Sequence, residues 1–175
     1  MGDNISADLN KDFQHIISLI QSARVRALAQ VNQELINLYY ETGKFISEKV
    51  ESATWGSGIV DSLAQFIRDN HPEIKGFTRR GLYRMKQFYE TYKNHEKVSA
   101  VRTQLTWTHH RLILAKTKSM TEKEFYINLS IREKLSSREL ERQLNTAVYE
   151  RTLLASQKVS ALPAQFKESG IFKDK

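Results

Sequence analysis

GFTRRGLYRMKQFYETY, residues 76–92, winds into one helix with two unlike faces. At about 100° per residue, Leu82, Met85, Phe88, Tyr89 and Tyr92 share an arc of about 120°. Arg79, Arg80, Tyr83, Arg84, Lys86 and Gln87 fall on the other side. Such a helix docks through its apolar arc and presents its basic arc outward. Thr78 stands at the N-cap position, and Gly76-Phe77 closes the preceding turn.

Working outward, Trp55-Gly56-Ser57-Gly58 is a turn signal, with Ser57 as the candidate cap of the next helix. That helix is predicted over Ile59–Asp69, with Ile59, Leu63, Phe66 and Ile67 on one side. His71-Pro72 ends it, because the residue before proline resists the helical conformation. Two helices joined by a turn of about nine residues form a helix-turn-helix candidate, although the usual turn has about three or four. From Lys11 to Val50 the chain reads as a long helix, with Leu28, Val31, Leu35, Leu38, Tyr39, Phe45 and Ile46 on one stripe. Gly43 interrupts it, as a kink or a close helix contact. A helix this long either breaks in two, covers a single-chain core or packs against a partner, and Leu28, Val31, Leu35 and Leu38 are the candidate dimer or partner interface.

Downstream, Ser99–Thr106 reads as a loop or a short helix end. A helix follows from about His109 to Lys116, capped by Thr108 or Thr106. Thr121-Glu122-Lys123-Glu124 and Ser136-Ser137-Arg138-Glu139 are capping-box patterns. The second opens a salt-laced helix to about Leu154. Residues 1–10 read as a disordered end, 11–156 as one helical domain and 157–175 as a linker. With seven Gly and two Pro in 175 residues, few helix breakers are present, and the expected class is all-α with several helices.

The net charge is +7, but its placement says more. Between Lys75 and Lys118 eleven Lys and Arg face only Glu90 and Glu96, a segment of +9 between flanks that together carry −2. Concentrated positive charge is the footprint of a polyanion binder, so nucleic acid is the expected partner. Arg pairs with guanine edges, Gln87 with adenine and Lys86 with phosphate. Tyr83 stacks on a base or bonds a phosphate. Thr78 and the helix N-terminus suit a phosphate. His110 and Arg111 read as surface or phosphate contacts, and Trp107 as a core anchor.

No cysteine means no disulfide and no thiolate metal site. Adjacent His109 and His110 point about 100° apart and share an ion poorly. Glu73-Ile74-Lys75 resembles half of a nuclease metal signature but sits in a turn, with no strand to hold the carboxylates. Nucleophile triads, P-loops and dinucleotide motifs are absent, so no enzyme, metal or cofactor is expected within this chain. No signal pattern or spanning apolar run appears, and a cytoplasmic protein is the default.

Five strings in order carry a resemblance. Leu38–Lys44 resembles "YWEIGK", and Trp55–Val60 resembles "WGxGVI". Phe77–Met85 resembles "FSxRNLxRM", Leu105–Leu112 "LSWSHYRLL" and Arg138–Leu144 "RELERQI". Together they resemble the N-terminal domain of the YhcG family of bacterial proteins, a domain of unknown function, over roughly Lys11 to Lys158. The resemblance implies a helical, winged-helix-like DNA-binding region preceding a C-terminal PD-(D/E)XK nuclease domain. Ile171-Phe172-Lys173-Asp174-Lys175 resembles the family's "FKDP" linker, where that domain would begin. The chain therefore reads as an isolated N-terminal module, truncated or natural, without the nuclease residues. Gly81 departs from the family's usual Asn, which puts any contact from that position in doubt.

Overall fold

The computed structural model describes residues 2–52 and 58–155, with side chains from Leu9 onward. The chain divides into two compact units, Met1–Thr106 and Trp107–Lys175. The first holds α1 (Gly2–Glu51), α2 (Ile59–Asn70), α3 (Arg79–Tyr92), the short α4 (Glu96–Val101) and a 3-10 turn (Arg102–Gln104). The second holds α5 (Trp107–Lys116), α6 (Met120–Arg132) and α7 (Ser137–Asn145), and residues 148–155 are again helical. The all-α expectation holds. Among the described residues there is no strand, so the winged-helix-like form has no wing there. The stretch 1–10, read as a disordered end, is helical from Gly2. The expected Ser57 cap and the 157–175 linker lie outside the described residues.

The core of the first unit is α1 against α3. Leu82, Met85, Phe88 and Tyr92 are completely buried, as the winding predicts. They lie against α1, whose buried residues include Ile36, Tyr39 and Ile46. Gly43 resolves the kink-or-contact alternative as a contact. A Cβ there would lie 2.0 Å from the Met85 carbonyl oxygen, so only glycine lets the two backbones approach. The Tyr40 ring meets Phe88 edge-on at 5.8 Å and Tyr89 at 5.1 Å. Burial pushes the Tyr92 hydroxyl well above the usual tyrosine range.

The apolar residues of α1 form two faces, not one stripe. Ile36, Tyr39, Gly43 and Ile46 face α3, while Leu28, Val31, Leu35, Leu38 and Phe45 are exposed about 100° around the helix. Every side chain from Leu9 to Val31 is exposed. Asn32 marks where α1 meets other chain, its amide donating to the Thr103 and Leu105 carbonyls at 2.8 and 3.0 Å.

An eight-residue turn, 71–78, joins α2 to α3. Gly76 sits at φ +91, open to glycine at little cost, and Phe77 meets the Tyr39 ring at 6.0 Å. The buried line of α2 is Val60 and Ala64, with Ile59, Leu63 and Ile67 half-buried. Phe66, expected on the core side, is exposed because it lies at the edge of that face.

In the second unit one of the two α5 cap alternatives is selected and the α6 cap is displaced. α5 starts at Trp107, which is half-buried, so Thr106 and not Thr108 precedes it. α6 is capped by Ser119, whose hydroxyl accepts the Glu122 N–H at 3.1 Å, two residues ahead of the expected Thr121. Glu122 reaches back to accept the Lys118 N–H at 2.7 Å. The α7 box forms as expected, with Ser136 N–H donating to Glu139 Oε2 at 2.7 Å and Glu139 N–H to Ser136 Oγ at 3.3 Å. The helix expected to reach Leu154 breaks at 146–147, where Ala147 takes φ +49.

Candidate nucleic-acid interface

The N-terminus of α3 is built by its turn. Thr78, in extended conformation, accepts the Gly81 N–H at 3.2 Å and so satisfies one of the helix's orphan donors. A backbone contact also calls for glycine at 81. A Cβ at 81 would lie 2.1 Å from the Gly76 carbonyl oxygen, which folds over the first turn. The departure from Asn thus matches a backbone contact that leaves no room for a side chain.

Thr78, Arg79, Arg80, Tyr83, Arg84, Lys86 and Gln87 all stand on α3 or its cap. Arg79, Arg80, Tyr83 and Gln87 are exposed, and Arg84 is half-buried. Arg79 Nε pairs with Asp61 Oδ1 of α2 at 2.6 Å, and its guanidinium lies 5.3 Å over the Tyr83 ring. Both members of that pair are well exposed, so the pairing is weak and exchangeable. Arg80 makes no ion pair with a described residue.

Lys86 is differently placed. Only 22% of its side chain is exposed, and its ammonium pairs with Glu90 one turn on. Glu90 also accepts the Ser47 hydroxyl from α1 at 3.0 Å. Lys86 is therefore part of the α1–α3 seam, and the expected phosphate contact is poorly presented. Arg102, counted in the basic segment, is likewise structural. Its guanidinium lies 4.3 Å over the Tyr40 ring and donates to the Ser99 carbonyl at 2.8 Å. The Lys86–Glu90 spacing of four was a readable signal. Nothing local in the sequence ties Asp61 to Arg79 or Arg102 to Tyr40.

His110 and Arg111 stand on α5, in the other unit. His110 is completely buried, which corrects its reading as a surface or phosphate contact. Its neighbour His109 is also buried, and its Nε2–H donates to the Leu135 carbonyl at 2.9 Å. Arg111 is exposed. Leu28, Val31, Leu35 and Leu38, the candidate interface residues, are 71, 65, 38 and 49% exposed. Among the described residues no group of three His, Asp or Glu could hold a metal ion, and no helix is long and apolar enough to cross a membrane.

Comparison with known proteins adds the family. No solved structure matches the chain. An Escherichia coli (strain K12) protein named "Putative nuclease YhcG" is 26% identical over 196 residues, an alignment covering 93% of this chain and 51% of the relative. The chain thus spans about half the length of that relative. The DUF1016 N-terminal domain matches residues 15–151. Covering most of the chain, that match shows that this protein belongs to the DUF1016 N-terminal domain family, the N-terminal domain of YhcG-type proteins.

Proposed function

We propose that this chain is a DNA-binding module in which α3, paired with α2 as a helix-turn-helix-like element, presents Arg79, Arg80, Tyr83, Arg84 and Gln87 to the duplex. The observation that carries the reading is the division of α3: four side chains fully buried on one side, and on the other Arg79, Arg80, Tyr83 and Gln87 exposed beside a half-buried Arg84. An α-helix of this kind fits the major groove, where Arg and Gln read purine edges. The helix N-terminus adds backbone N–H groups for a phosphate. The +9 segment supports the same reading, and so does a relative named as a nuclease. In a longer protein the module would hold DNA for a nuclease domain elsewhere in the chain, and would itself bind without cleaving.

A salt titration of binding to duplex, single-stranded and structured DNA tests this. Arg80→Glu with Arg84→Glu should weaken duplex binding by tenfold or more and flatten its dependence on log salt by about two. Unchanged affinity in that double variant would remove α3 from the interface.

A further inference from the structure

We propose that α1 pairs with α1 of a second copy of this chain, antiparallel, along one apolar face. The proposal is independent of the DNA reading, since it uses neither α3 nor its arginines.

The face is continuous. Wound at about 100° per residue, Leu9, Phe13, Ile20, Leu28, Leu38 and Phe45 fall within one arc of about 100°. All six are between 46 and 71% exposed. Val31 and Leu35 lie in the same arc, beside a shallow apolar groove edged by Gln30 and Glu34. Among the described residues α1 meets other elements from Asn32 onward, and a helix with large apolar side chains exposed from Leu9 to Val31 is marginal unless something covers it. The strip is about 54 Å long and about 10 Å wide on each copy. Two such strips reach the roughly 1,000 Å² of total area that a specific interface needs.

Charge selects the occupant and its direction. From Leu9 to Ala27 the helix carries three basic residues and one acidic. From Leu28 to Glu51 it carries four acidic and two basic. A parallel partner would lay like against like, whereas an antiparallel copy lays each half against its opposite. Arg24 is the one charge inside the apolar arc between Leu9 and Phe45. A register that brings Arg24 level with Glu34 of the second copy does so twice, once at each end of the two-fold axis. That register also sets Phe13 opposite Phe45 and Ile20 opposite Leu38.

Sedimentation equilibrium at tens of micromolar should give twice the chain mass for the wild type. Leu28→Glu with Leu35→Glu should give the monomer mass with helix content outside α1 retained, as read by hydrogen exchange. The chain has no cysteine, so added thiols report direction cleanly. A mixture of Phe13→Cys and Phe45→Cys chains should form the mixed disulfide, and Phe13→Cys alone should not self-link. Self-linking by Phe13→Cys would overturn the antiparallel direction. A monomeric wild type would overturn the proposal and assign the face to residues 156–175 or to another protein.

Discussion

Gly43 and Gly81 are both places where a single hydrogen in place of a methyl sets the structure. At Gly43 the would-be Cβ meets backbone, which cannot swing aside as a side-chain tip can. Gly43→Ala should therefore force α1 off α3 and cost about 1–3 kcal/mol, measured by denaturant unfolding. An unchanged midpoint would mean that the helices sit farther apart than described. Gly81→Asn should destabilise as well, because the Gly76 carbonyl occupies the space. At this scale the sequence was only half legible. The glycines stood out, but whether Gly43 was a kink or a contact depended on Met85, far along the chain. His110 was read as a surface group because it is polar, and only packing shows it buried.

Helices are where the pattern spoke most clearly. The arc of α3 was readable because its apolar and basic residues alternate at helical spacing and its core face is fully covered. The long α1 was less readable, since two apolar faces side by side blur into one stripe until a partner selects between them. α4, six residues long, is too short to show a period. Caps make a quantitative test. Ser136→Ala should weaken α7 by about 1 kcal/mol, seen as faster amide exchange over its first turn. Its partner Glu139 adds a pH dependence. The Ser136 hydroxyl and backbone N–H, with Arg142 nearby, hold the Glu139 carboxyl below its ordinary 4.5. The charged form is favoured in the folded chain, so its contribution is complete above 4.5 and is lost as pH falls through the lower folded value. Glu139→Gln keeps the box but should remove that part of the acid sensitivity.

Across the molecule, net charge overstates what a polyanion would meet. Of the eleven basic residues between Lys75 and Lys118, Arg79, Lys86, Lys93 and Lys116 have carboxylate partners, and Arg102 is stacked on Tyr40. If Arg79, Arg80 and Arg84 make the phosphate contacts, log K against log salt should fall with a slope of about −3. A slope near −10 would mean that the whole segment binds. Composition could not make this distinction, because it counts charges without their neighbours. One more consequence follows from the meeting of Gly43 with Met85. Side chains at a helix crossing act as springs, taking up small shifts by changing rotamer. At Gly43 the Met85 carbonyl lies against the α1 backbone, and at that point there is no spring. At that crossing α1 and the helix that carries Arg80 meet backbone to backbone, so a shift of one there is passed to the other with no side chain between to absorb it.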